Sequence, residues 1–91
     1  MAIKSEISWR RTDADGNRVE VYARRFGGDW RFHQRARRND LWQAIKEPIV
    51  EDWIALIDAL ERRVPRRLTK PDEVERVRQL FHQKHPEARQ S

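Results

Sequence analysis

The strongest constraint on the fold is a period-two alternation of apolar and polar side chains that recurs in three stretches of the first half. The stretches cover residues 3–10, 18–24 and 30–37. Successive side chains of a β-strand point to opposite faces of the sheet, so this period predicts strands with one buried and one wet face. Turn formers separate the stretches, with Asp15-Gly16 in the first break and Gly27-Gly28 in the second. The sequence therefore predicts two hairpins and a three-stranded antiparallel meander.

The second break is short enough to predict a register. Paired glycines favour a two-residue hairpin loop, and such a loop at Gly27-Gly28 places Phe26 opposite Asp29. Each further step keeps the apolar positions on one face, which is the usual constraint against strand slippage. The expected pairs are Arg25–Trp30, Ala23–Phe32 and Val21–Gln34 on one face and Arg24–Arg31, Tyr22–His33, Glu20–Arg35 and Arg18–Arg37 on the other.

Residues 48–64 form the longest apolar segment, and their three- and four-residue spacing predicts a central helix. Pro48 suits its first turn, where a missing N–H costs nothing, and Pro65 suits its end. Acids early and arginines late match the helix dipole. The predicted wet stripe of this helix consists of Glu51, Asp52, Asp58, Glu61 and Arg62.

Two further helices are expected on either side of the central one. Asn39-Asp40 can cap a short first helix, whose apolar residues are Leu41, Trp42 and Ile45. Thr69 and Asp72 have the spacing of a capping box, which predicts a third helix over 70–84.

These elements predict a single compact α+β domain over residues 1–86, in the order β-β-β-α-α-α, followed by a flexible tail over 87–91. One face of the meander is expected to pack against the second and third helices, with the short first helix as a bridge. Large apolar residues on these faces form the expected core, namely Trp9, Trp30, Phe32, Trp53, Ile54, Ile57, Leu60, Val77 and Phe81.

The positive charge of the chain lies in its first half. The net charge is +5, and residues 1–38 contain ten Lys or Arg against five Asp or Glu, whereas the remainder contains ten of each. Much of this charge falls on the wet face of the predicted meander. With two arginines that follow the central helix, the candidate nucleic-acid-binding residues are Arg18, Tyr22, Arg24, Phe26, Arg31, His33, Arg35, Arg37, Arg66 and Arg67.

This basic face has several interpretations. The Arg24–Arg31 and Arg18–Arg37 pairs have no acid between them in the predicted register, and an anionic partner would favour such pairs. In a DNA or RNA complex the arginines would contact phosphates, and Tyr22, Phe26 and His33 would stack on exposed bases. A solvated sheet face has the same composition, as does a surface for an acidic protein. Arg66 and Arg67 likewise suit either a helix C-terminus or a phosphate-contacting loop.

A protein-interaction or homo-oligomerising module is the alternative function. The open sheet has two edges, and the central helix is apolar over a broad face. A symmetric dimer through that helix and Trp42 would follow.

Catalytic and metal-binding patterns are sparse. The chain has no Cys, and none of its three serines lies in a nucleophile-elbow motif. Gly27-Gly28-Asp29 is too short for a phosphate-binding loop. His82 and His85 share a helix face, but no third and fourth zinc ligands lie near in sequence. We therefore expect a non-enzymatic binding module without metal or cofactor.

The sequence also bears on location. No apolar run follows a basic N-terminus, as in a signal peptide, and none approaches the length of about 18 residues needed to cross a bilayer. We expect a cytoplasmic protein that makes no membrane contact.

Overall fold

The computed structural model describes residues 6–88, and within them the chain forms four strands followed by two α-helices. The strands are β1 (Glu6–Thr12), β2 (Arg18–Phe26), β3 (Asp29–Arg35) and β4 (Gln43–Ile45). The helices are α1 (Val50–Arg63) and α2 (Pro71–Lys84), and a single 3-10 turn follows at Pro86–Ala88. The expected α+β class is confirmed, with four strands and two α-helices in place of three strands and up to three helices.

The chain falls into two compact units, the first of which ends at Pro48 and the second of which begins at Ile49. The single domain over residues 1–86 and the packing of helices on the sheet stay predictions. The predicted start of the first strand, residues 3–5, and the end of the predicted tail, residues 89–91, lie outside the described residues.

The sheet is antiparallel throughout, with the strands in the order β1-β2-β3-β4. The predicted β2–β3 register is confirmed from the Phe26–Asp29 pair at the loop to the Glu20–Arg35 pair. The expected Arg18–Arg37 pair is wrong, because β3 ends at Arg35 and its ladder with β2 ends at the Glu20–Arg35 pair.

Both hairpin loops depend on backbone conformations that glycine adopts without strain. Gly27 has a φ of 58°, which suits the first position of a two-residue loop. In the loop between β1 and β2, Gly16 has a φ of 86°. The carboxylate of Asp13 closes that loop, because its Oδ1 accepts hydrogen bonds from the backbone N–H groups of Asp15 and Asn17, both at 2.9 Å. Such side-chain bonds to the following backbone are the reason Asp favours turns.

The short first helix expected at Leu41–Ile45 is wrong, because residues 43–45 form β4. Asp40 does not cap a helix. Its Oδ2 accepts a hydrogen bond from the backbone N–H of Arg37 at 3.1 Å, and its own N–H donates to the Arg37 carbonyl at 2.9 Å. This turn returns the chain along β3, where Ile45 lies opposite Phe32.

Helix α1 begins later than expected, whereas α2 has nearly the expected bounds without the expected cap. Helix α1 has Ile49 as its N-cap, so Pro48 lies outside the helix, where it is buried. Helix α2 has Lys70 as its N-cap, without a side-chain capping bond, and Pro71 occupies the first turn. The capping box of Thr69 and Asp72 is therefore wrong; the fixed φ of Pro71 starts the helix without it.

The buried face of α1 is rotated from the predicted one. Trp53, Leu56 and Leu60 are buried, as is Asp52, whereas Ile54 is 41% exposed. With 3.6 residues per turn, Asp52 lies beside the stripe of Trp53, Leu56 and Leu60, while Ile54 lies nearly opposite it. Asp52 is thus removed from the predicted wet stripe and Ile54 from the predicted core. The other buried apolar residues are Ile7, Val19, Val21, Ala23, Phe32, Val74, Val77 and Phe81.

The chain leaves α1 through a tight turn with a left-handed residue. Arg67 has a φ of 59°, its N–H donates to the Val64 carbonyl at 2.9 Å, and the N–H of Leu68 donates to the Arg63 carbonyl at 3.1 Å. These are the two hydrogen bonds of a Schellman motif, in which glycine is the usual left-handed residue. Arginine at this position carries the steric penalty of that conformation.

Substitution of Arg67 by glycine is therefore expected to stabilise the protein. Glycine removes the steric strain of the left-handed conformation, but it also gains more conformational entropy on unfolding. The net effect should raise the free energy of unfolding by about 0.5–1 kcal/mol. Urea denaturation of Arg67→Gly without nucleic acid measures this change, and Arg67→Ala is the matched control because it removes the same charge and keeps the strain. Equal stabilisation by both variants would show that charge and not backbone conformation is responsible.

Candidate nucleic-acid interface

The register gathers the polar side chains of the meander on one face of the sheet, which we call the arginine face. Residues of neighbouring strands lie opposite one another there in rows across the sheet. The rows are Phe26–Asp29, Glu6–Arg24–Arg31, Ser8–Tyr22–His33–Ala44, Arg10–Glu20–Arg35 and Thr12–Arg18.

Two glutamates on this face each hold one arginine. Oε2 of Glu6 accepts a hydrogen bond from Nη2 of Arg24 at 3.1 Å, and Oε1 of Glu20 accepts one from Nε of Arg35 at 3.1 Å. The expected pairing of Glu20 with Arg35 is confirmed. Arg24 and Arg31 lie directly opposite each other, as expected, and Glu6 flanks Arg24 from the neighbouring strand. Both ion pairs are partly solvated, so they orient the arginines more than they stabilise the fold.

An aromatic cluster occupies the middle row. The rings of Tyr22 and His33 stack with centroids 4.8 Å apart and an interplanar angle of 10°. The indole of Trp42 meets the Tyr22 ring edge-on, at 4.7 Å and 88°. Trp42 immediately precedes β4, so the turn at Asp40 is what brings its ring onto this face.

Guanidinium groups lie over the rings of Phe26 and Trp42 on this face. The Arg35 guanidinium lies 4.2 Å from the centroid of Trp42, and that of Arg31 lies 4.7 Å from the centroid of Phe26. Arg24 lies farther from its rings, at 5.8 Å from Tyr22 and 5.9 Å from Phe26. Such cation–π contacts restrain each guanidinium over a ring and do not use its N–H groups as hydrogen-bond donors. They also occupy ring surface on which an incoming base would stack.

Two polar atoms beneath this surface have no hydrogen-bond partner among the described residues. They are Nε of Arg24 and Nδ1 of His33, and both atoms are buried. Unpaired buried polar atoms are uncommon in folded proteins because their desolvation is costly. Nε of Arg24 is a donor, so an anionic oxygen is the kind of partner it lacks.

The structure brings seven of the ten sequence-predicted site residues together on this face, namely Arg18, Tyr22, Arg24, Phe26, Arg31, His33 and Arg35. Arg37 lies in the turn after β3. Arg66 and Arg67 belong to the second unit, in the turn that follows α1.

Trp42 and Glu6 are among the residues of this face that the candidate set does not contain. Extension of the β3 alternation through a return turn at Asp40 would have placed Trp42 opposite Arg35. The Asn39-Asp40 pair also suits a helix cap, which is the interpretation that the sequence favours. Glu6 is placed by the β1–β2 register, and the five-residue break between those strands does not determine that register from sequence.

The histidines of the second unit lie at the end of α2. Their rings flank Phe81, with centroid distances of 5.7 Å for His82 and 6.0 Å for His85. Nδ1 of His85 lies 3.1 Å from Oε2 of Glu87. The pKa of Glu87 is lowered, first by a hydrogen bond from its own backbone N–H and then by His85. Within residues 6–88, no three His, Asp or Glu side chains converge in a way that could hold a metal ion.

Neither helix of the described chain has the length and apolar character needed to cross a membrane. Comparisons with protein-family models, with curated proteins and with solved structures find no match to this chain.

The contacts of Trp42 predict that it stabilises the arginine face. Trp42→Ala removes a T-shaped contact and a cation–π contact, and we expect a loss of about 1–2 kcal/mol in the free energy of unfolding. The neighbouring Leu41 is 88% exposed, so Leu41→Ala is a matched control that should leave stability unchanged. Thermal and urea unfolding of the two variants measure the difference. A destabilisation by Leu41→Ala as large as that by Trp42→Ala would contradict the assignment.

Proposed function

We propose that this chain is a small, non-enzymatic nucleic-acid-binding module whose contact surface is the arginine face. The observation that carries the proposal is the set of arginines held in place by neighbouring rings and carboxylates. Arg31 lies over Phe26, and Arg35 lies over Trp42 while its Nε is bound to Glu20. A guanidinium oriented in this way binds a phosphate with less loss of side-chain entropy.

The charge on the face supports the same proposal. Its rows contain five arginines, at positions 10, 18, 24, 31 and 35, against three acids, Glu6, Glu20 and Asp29. Arg37 extends the positive charge beyond the end of β3. An excess of cations along a sheet is the electrostatic feature from which phosphate contacts obtain most of their affinity.

We propose that the module recognises the phosphate backbone and discriminates little between sequences. Tyr22 is stacked on His33, and the rings of Trp42 and Phe26 are covered by arginines. Base stacking, expected from the sequence for Tyr22, Phe26 and His33, would require these contacts to be displaced. Phosphate binding requires no such rearrangement, so duplexes and single strands should bind with similar affinity. The cytoplasmic location expected from the sequence would give access to RNA.

The central prediction concerns Arg24 and Arg31. The double variant Arg24→Glu with Arg31→Glu reverses two charges in one cross-strand row and should abolish binding to labelled DNA and RNA measured by fluorescence anisotropy. Lys70→Glu with Lys84→Glu is the matched control, because it makes the same change of net charge on exposed residues of the helical unit. Circular dichroism should show both variants folded. Unchanged affinity in the arginine variant, or equal loss in both, would overturn the assignment of this surface.

Salt dependence provides an independent prediction. If Arg24, Arg31 and Arg35 each contact one phosphate, the logarithm of the association constant should fall against that of salt concentration with a slope of about −3 on duplex DNA. Arg31→Gln removes one cation and should reduce the magnitude of that slope by about one. A salt-independent affinity would contradict phosphate recognition.

An acidic protein or peptide would meet the same charges on this face. Competition separates the two partners, because unlabelled duplex should displace labelled RNA, whereas polyglutamate of equal charge should compete poorly. Failure to bind nucleic acid at low salt, together with tight binding of polyglutamate, would favour the acidic protein.

A further inference from the structure

Helices α1 and α2 form an antiparallel pair with an open groove on one side. Trp53, near the start of α1, packs on Phe81, near the end of α2, with ring centroids 6.2 Å apart. Glu61, near the end of α1, forms an ion pair with Arg78 in the middle of α2. The order of these contacts shows that the helices run in opposite directions.

The floor of the groove is apolar. Ile54 and Ile57 of α1 and Phe81 of α2 line a depression of about 400 Å³. Ile54 is 41% exposed, although it lies in the middle of an amphipathic helix. An exposed branched residue within a concave apolar surface is a feature of docking sites.

The walls of the groove carry opposite charges. Asp58 and Glu61 line it from α1, and Arg78 and His82 line it from α2. Within one copy Glu61 is bound to Arg78, and Asp58 is bound to Arg62 on its own helix. The groove therefore has carboxylates along one helix and a guanidinium and an imidazole along the other, with an apolar strip between them.

We propose that this groove is the interface of a homodimer, in which a second copy packs its own α1–α2 pair face to face against the first. A two-fold axis parallel to the helices places α1 of each copy over α2 of its partner. The acidic wall then faces the basic wall twice, and the two apolar strips meet between them. The result is a four-helix arrangement of the kind that antiparallel helix pairs commonly form.

Charge complementarity is what selects a second copy as the occupant. A uniformly acidic or basic partner would meet like charge on one wall, which disfavours it. The occupant must carry both signs in reversed order beside an apolar strip, and this groove itself has that property. The proposal replaces the dimer through the central helix and Trp42 expected from the sequence, because Trp42 belongs to the arginine face. It rests on a different unit from the nucleic-acid proposal, so either can fail alone.

The first test measures the association of the full chain by sedimentation velocity over an about hundredfold range of protein concentration. Wild type should shift from monomer to dimer, and Ile54→Glu should raise the dissociation constant by at least about tenfold, since it would bury a charge in the apolar strip. Leu68→Glu is the matched control, because Leu68 is 60% exposed and does not line the groove. A monomer at every concentration, or equal weakening by both variants, would overturn the proposal.

The second test uses charge reversal and remains decisive if single variants are destabilised. Asp58→Lys with Glu61→Lys makes both walls basic, whereas Arg78→Glu with His82→Glu makes both acidic. Each double variant alone should be monomeric because like charges would face each other across the two-fold axis. An equimolar mixture should regain dimers that contain one copy of each. Dimers of either variant alone, or a mixture that stays monomeric while circular dichroism shows both folded, would overturn the proposal.

Discussion

The cross-strand register of β2 and β3 is the constraint on which the arginine face depends. A shift by one residue would exchange the two faces and bury the row of Tyr22 and His33. The two-residue loop fixes this register, and the positive φ of Gly27 allows the loop to form. The two residues of this loop therefore determine which side chains lie together among the seven β2–β3 pairs from Glu20–Arg35 to Phe26–Asp29.

On the arginine face, repulsion between the arginines is offset by attraction to neighbouring acids and aromatic rings. Facing arginines repel each other, and water alone would let them spread apart. Glu6 and Glu20 compensate two of them, while Phe26 and Trp42 attract guanidinium groups through their ring faces. The face is thus ordered while it keeps a net positive charge. That combination distinguishes it from a sheet surface whose arginines simply extend into solvent.

The sequence predicted the features that depend on local chemistry and missed those that depend on tertiary context. The alternation of apolar and polar residues and the glycine pair are local features. The α+β class, the meander and the β2–β3 register could therefore be predicted from them. Asn39-Asp40 suits a helix cap and a turn equally well, and a strand of three residues is too short to show a period. For these two reasons, β4 and the position of Trp42 could not be predicted from the sequence. The apolar residues of α1 cover more than half its circumference, so its sequence does not determine that Asp52 is buried and Ile54 exposed.

The shortness of β4 has a consequence for the arginine face. Three ladder residues at the edge of a sheet give little protection against local opening, and such segments exchange between docked and detached states far below the global free energy of unfolding. Each detachment of β4 would free the Trp42 ring from Tyr22 and release Arg35 from its stacking partner. We therefore expect the order of this surface to depend on how often β4, the shortest strand of the sheet, detaches.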